Sequence, residues 1–211
     1  MLGIGFINTV FSLKLRMMGQ SSFIVGVITS LFYLGMFAGS FSIAPVLIRV
    51  GHIRAYSAFA ALLAFSILIP GMSENSYIWS VSRFIGGYCL AGLYITVESW
   101  LLNVSTEKNR SGYLALYIGC CYGAQAIGQL FIEVIDINTV LPFIFGSIFI
   151  IISVIPITVT PISTPQIDEP QALGMKKLFK ISPTGVIGCL VAGMFISSTY
   201  GLLPIYVIDG G

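Results

Sequence analysis

The sequence predicts an all-α integral membrane protein: a six-helix bundle, a polar linker and one further transmembrane helix. Three observations predict it. Of the residues, 56% are hydrophobic and only 9% charged, where a soluble domain carries about 25% charged residues. Long apolar runs recur along the chain, separated by short loops that collect most of the charges. One apolar run, residues 82–100, nevertheless keeps an arginine near its start and a glutamate near its end. A charge in hydrocarbon costs at least about 2.5–3.5 kcal/mol unless it is paired or wetted, so the two are kept for a pathway, a gate or a structural ion pair.

The predicted organisation is a bundle over 1–160, a cytoplasmic linker over 161–183, and a seventh transmembrane helix over 184–211. Span one, about 2–13, is short. Twelve helical residues reach ~18 Å, while the hydrocarbon core is ~30 Å. The expectation is that its true start lies upstream or that this copy is truncated. Gly5, Asn8, Thr9 and Ser12 share a face of it, and 14–20 reads as a loop. Span two, about 22–48, carries Ser30, Tyr33, Phe37 and Ser40 on one face, and Gly35 with Gly39 at the spacing that lets helices approach closely. A basic turn with Arg49 and Arg54 leads to span three, about 55–69, which is almost wholly apolar.

Span four is the charged run, with Arg83, Gly87, Tyr94 and Glu98 on roughly one stripe. A loop over 103–111 with Glu107, Lys108 and Arg110 follows. Span five, about 113–135, places Tyr122, Gln125, Gln129 and Glu133 on one face, and a tight turn over 136–138 leads to span six, about 140–159, nearly featureless. The linker is Pro-rich and polar, with Asp168, Glu169, Lys176, Lys177 and Lys180, and has room for a short amphipathic helix in LGMKKLFK. Span seven, about 184–208, completes the chain.

Loop charges set the orientation. The loops after spans two, four and six hold Arg49, Arg54, Lys108, Arg110, Lys176, Lys177 and Lys180, whereas those after spans one, three and five hold only Lys14 and Arg16. The first set, and the N-terminus, is therefore expected in the cytoplasm. Spans one, two, four and five carry polar stripes and suit a wet interior; spans three and six suit lipid or dry protein. Depth along the helices predicts two approaches: Arg83 with Glu133 near the outer side, and Glu98 with Arg49, Arg54 or Arg110 near the cytoplasmic side. An interfacial carboxylate is the equal alternative for Glu133.

Several function classes are excluded. The net charge of +2 is spread over short loops, which is no nucleic-acid surface. The N-terminus lacks the basic region and cleavage site of a signal peptide. Cys89, Cys120, Cys121 and Cys189 lie in apolar spans without CxxC spacing, and a single histidine, His52, makes no metal site; no metal and no cofactor are expected. No Ser/His or paired-Asp arrangement, HExxH or glycine-rich phosphate loop is present, so no catalytic residue is assigned and the chain is not read as an enzyme. A channel is harder to exclude than an enzyme, although no ring-forming filter segment or re-entrant loop is visible.

Six spans, a long linker and a further span resemble the major facilitator superfamily. The stretch AlaPro-ValLeuIle-Arg-Val-Gly-His-Ile-Arg over 44–54 is similar to that family's G-x-x-x-D-R-x-G-R-[RK] loop. Arg49 and Gly51 match its Arg and second Gly; Ala44 stands at the first Gly, Ile48 at the Asp and His52 at the next basic position, with Arg54 two residues further. Glu98 resembles the family's acidic partner at the cytoplasmic end of the fourth helix, and Arg83 with Gly87 its arginine motif there, often tied to proton coupling. VGHIRAYSAFAA and AGLYITVESWLLN resemble a branch of uncharacterised bacterial permeases. The resemblance covers the whole chain but only about half of a twelve-span member, whose substrate site lies between its two halves.

It implies secondary active transport of an unidentified small solute across the bacterial cytoplasmic membrane by alternating access, with proton coupling as one form. Arg83 would contact an anionic group or help to relay protons, Glu133 would belong to the same pathway, and Asn8, Tyr94, Gln125 and Gln129 would offer hydrogen bonds. Arg49, Gly51, Arg54, Glu98 and Arg110 would form the cytoplasmic gate. The expected partners are the lipid bilayer, the solute and protons. The competing expectation is a truncated or split-gene remnant or membrane scaffold, with a separate polypeptide supplying the other half.

Overall fold

A computed structural model describes residues 1–159 and 179–209. Its elements are α1 (Leu2–Met17), α2 (Ser22–Val50), α3 (His52–Leu68) with a 3₁₀ turn over Ile69–Met72, α4 (Ser76–Val104), α5 (Arg110–Gln129), α6 (Phe131–Val134), α7 (Leu141–Ile152), α8 (Val154–Val159) and α9 (Pro183–Asp209). Among the described residues there is no strand. Among the described residues five helical runs are long and apolar enough to cross a bilayer: Ser22–Val50, His52–Met72, Ser76–Val104, Arg110–Val134 and Leu141–Val159. Most of the expected linker and its amphipathic helix lie outside the described residues.

Helix ends follow local chemistry. Ser21 caps α2 by accepting from the Ile24 N–H at 3.3 Å, and Asn75 caps α4 by accepting from Tyr77 N–H at 2.9 Å. Gly51 ends α2 at φ 82°, a left-handed conformation that favours glycine. Several boundaries differ from the sequence expectation, among them a break of the sixth span at Ser153 between α7 and α8. Helix α1 runs on to Met17, so Lys14 and Arg16 sit in its last turn rather than in a loop. Cations there face the C-terminal carbonyls, and Lys14 Nζ also donates to the carbonyls of Ile137 (3.3 Å) and Asn138 (2.7 Å). The fifth span is broken: α5 stops at Gln129, Leu130 forms a turn, and α6 restarts at Phe131.

Two glycine seams draw the helices together. A Cβ on Gly87 would overlap the Phe32 carbonyl, and one on Gly35 the Phe84 carbonyl, so α2 and α4 meet backbone to backbone. Gly39 continues this seam against Tyr88 and Ala91. Gly5 and Gly128 do the same for α1 and α5, where a Cβ would strike Gln125 and Leu2 backbone atoms. Beside that seam Gln129 Nε2 donates to the Gly5 carbonyl, and Thr9 Oγ1 donates to Gln129 Oε1 at 3.1 Å. Away from the seams, Phe11, Trp79 and Phe143 stack edge to face with centroids 5.1–5.8 Å apart, joining α1, α4 and α7. Ser147 Oγ donates to the Ala64 carbonyl at 2.9 Å and ties α7 to α3.

Replacing Gly87 with leucine is expected to lower stability in detergent by at least about 1–3 kcal/mol, the usual range for overpacking. Gly119→Leu, where a Cβ meets open space, should leave the thermal unfolding midpoint nearly unchanged. Gln129→Leu should lower stability by about 1 kcal/mol, as expected for two interhelical hydrogen bonds in a membrane protein. Thermal unfolding of the purified variants checks all three.

Candidate solute site

Helices α1, α2, α4 and α5 line a half-open cavity of about 520 Å³, with Gly193 and Ile196 of α9 on its remaining side. Only part of each expected stripe reaches its wall: Asn8 on α1, Tyr33 on α2, Tyr94 and Glu98 on α4, and Tyr122 and Gln125 on α5. Ile4 and Asn8 come from α1; Leu90, Tyr94 and Glu98 from α4; Tyr117, Cys121 and Gln125 from α5, each set at steps of four. Phe32, Tyr33 and Met36 complete the side formed by α2, and Tyr122 lies beside Gln125. Helices α3 and α7 contribute nothing to the wall; they pack on each other and on the bundle's apolar core.

Arg83 is 5% exposed and lies behind this wall, not on it. Its Nη1 donates to Asn8 Oδ1 at 2.9 Å. Its guanidinium carbon stands 4.6 Å from the Phe11 ring centroid and 4.3 Å from that of Phe32, within the range of cation–π attraction. Nε has no hydrogen-bond partner among the described residues. The expected approach to Glu133 is not made. Glu133 lies on α6, beyond the turn at Leu130, and is exposed. Gln129 likewise does not line the cavity; both ends of its amide are used on α1.

Glu98 is half-buried and faces the cavity beside Tyr94. Arg49, Arg54 and Arg110 are exposed, and none forms an ion pair with it within 4.0 Å. The contact that joins the α2–α3 turn to α4 is instead His52 Nε2 with Ser99 Oγ at 3.2 Å, His52 being fully buried with its ring 6.0 Å from that of Trp100. Successive helical residues differ by about 100° in direction. With Ser99 turned toward α3, Glu98 is turned away from the basic loop. Along α4, Glu98 lies about 22 Å from Arg83 at 1.5 Å per residue. At that distance their attraction is below about 1 kcal/mol for an effective dielectric of 20, so each charge depends on its own surroundings.

Sequence reasoning missed Tyr117 and His52. The signal for Tyr117 was present, since it continues the Cys121–Gln125 spacing one step back. For His52 only its place in the loop motif pointed to a role. Cys120 and Cys189 are exposed and only Cys89 and Cys121 are buried, and all four are free thiols; an apolar span offers a lipid-facing side as readily as a core. Among the described residues no group of three His, Cys, Asp or Glu side chains is placed to hold a metal ion.

The family model of the Major Facilitator Superfamily matches residues 1–211. Curated relatives include proteins named "Uncharacterized MFS-type transporter YcaD" from Escherichia coli O7:K1 (strain IAI39 / ExPEC), E. coli strain K12 / DH10B and E. coli O157:H7 (strain EC4115 / EHEC). Each is 28% identical over 214 residues, covering 100% of this chain and 56% of the relative. The chain thus spans about half the length of the curated relatives it matches. A bundle of apolar helices, four polar-striped members around a cavity and a match along its full length agree: the chain belongs to the Major Facilitator Superfamily.

Proposed function

We propose that this bundle takes part in secondary active transport, moving a small solute across the bacterial cytoplasmic membrane by alternating access. The observation that carries the reading is the cavity of about 520 Å³ walled by α1, α2, α4 and α5, a size typical of small-molecule sites. Family membership supports the same class of activity, and the relatives' printed names describe transporters of unassigned substrate. In this reading residues 1–160 act as one half of the carrier, 161–183 as a cytoplasmic linker, and 184–211 open the second half. The N-terminus lies in the cytoplasm together with the basic loops.

Asn8, Tyr94 and Gln125 offer hydrogen bonds to the solute from three helices. Arg83 acts through Asn8: by donating to Oδ1 at 2.9 Å it fixes the amide's orientation at the wall. Its own charge is met by two ring faces, so it is a positioning residue in this conformation. Gly51 shapes the α2–α3 turn, and Arg49, Arg54 and Arg110 mark the cytoplasmic end. Their contact with Glu98 belongs to another state of the cycle, because the His52–Ser99 contact holds Glu98 toward the cavity in this one. Proton coupling through Glu98 fits the same arrangement.

Two measurements test this. Tyr122→Cys, placed on the cavity wall in a chain whose native cysteines are replaced by serine, should react with a membrane-impermeant thiol reagent from either side of oriented vesicles. Reaction from one side only would count against alternating access. Arg83→Ala should reduce solute uptake at least tenfold in a screen of labelled metabolites with wild-type expression as reference. Unchanged uptake would remove Arg83 from the pathway.

A further inference from the structure

Resting on the carrier reading above, we infer that the cavity takes an organic cation, a protonated or quaternary onium group held by Glu98 among aromatic rings. The charge on its wall points this way. Glu98 is the one ionisable acid or base of the Asp, Glu, Lys, Arg and His types among the described lining residues. The guanidinium of Arg83, the other charge of α4, is sealed behind Phe32 and Asn8 and is bonded to Asn8. Its charge is some four helical turns from Glu98, too far to neutralise it. The arginines of the basic loops are exposed and make no ion pair with Glu98.

The remaining wall suits a cation as well. Tyr33, Tyr94, Tyr117, Tyr122 and Phe32 line the same space, and aromatic faces attract onium groups through their quadrupoles, a recurring means of binding quaternary ammonium. A carboxylate held at membrane depth is costly without a counter-charge, and a bound cation supplies one. An anion of the same size would meet the carboxylate and the negative ring faces. A neutral solute would offer Glu98 no counter-charge. The structure therefore assigns selectivity in this half of the carrier to Glu98, while Arg83, the other charge of α4, serves the frame.

The test is equilibrium binding of labelled tetraphenylphosphonium to the purified 211-residue chain, with tetraphenylborate as a probe of nearly the same shape and opposite charge. The expected result is saturable phosphonium binding, with borate at least tenfold weaker. Glu98→Gln should weaken phosphonium binding at least tenfold and Glu98→Asp by less, whereas Glu107→Gln, in the exposed α4–α5 loop, should leave it unchanged. Tyr117→Leu, with its folding confirmed by thermal unfolding, gives an independent loss should Glu98→Gln fail to fold. Absence of saturable phosphonium binding, equal affinity for borate, or an unchanged Glu98→Gln affinity would overturn the inference. The two readings separate cleanly. Two-sided labelling of Tyr122→Cys without phosphonium affinity retains the carrier and removes the cation class. Phosphonium affinity with one-sided labelling does the reverse.

Discussion

A guanidinium within an apolar helix bundle is the constraint on which the rest of this structure depends. Burying a charge in hydrocarbon is unfavourable by several kcal/mol, and α4 carries Arg83 in its buried first half. The chain meets that cost with one amide oxygen from α1 and two ring faces, Phe11 from α1 and Phe32 from α2. Phe32 also supplies the carbonyl against which Gly87 packs. The same few residues therefore solvate the charge, set the α2–α4 separation and place Asn8 on the cavity wall. Electrostatics and packing share one solution here, and a change at any of these side chains is felt in both.

The fold was readable because its signals are repetitive. Apolar length identified the spans, and polar stripes on four helices separated those that wall the cavity from α3 and α7, whose runs are nearly featureless. The small-residue spacing of Gly35 and Gly39 predicted a close approach, and both pack against α4. Periodicity could not show where a helix breaks. Glu133 keeps step with Gln125 and Gln129 in sequence, yet a turn at Leu130 separates it from them and it is exposed. It also could not say which partner a polar side chain takes. Gln129 and Gln125 read alike along the chain, but one is bound to Gly5 and Thr9 on the neighbouring helix and the other faces the cavity.

The α2–α3 turn shows how one residue of a motif changes a contact. Ile48 occupies the position where the family loop has its aspartate, so the loop has no carboxylate of its own beside Arg49. In its place a buried imidazole reaches the hydroxyl of Ser99. A neutral hydrogen bond of this kind contributes about 0.5–1.5 kcal/mol, enough to favour one rotation of α4 and weak enough to be exchanged during a conformational cycle. Since Ser99 and Glu98 are neighbours on one helix, the loop contact and the direction of the carboxylate are geometrically linked.

The glycine seams bear on how such a bundle can move. Where Gly35 meets Phe84 and Gly87 meets Phe32, no side chain lies between the two backbones to change rotamer and absorb displacement. Close-packed interiors transmit shifts and do not deform continuously. Helices α2 and α4 are thus mechanically one strut, and α1 with α5 a second. Relative motion is confined to the surfaces between the struts, where Asn8 and Phe11 of α1 meet Arg83 of α4, so any rocking of the bundle would be hinged on the buried charge itself.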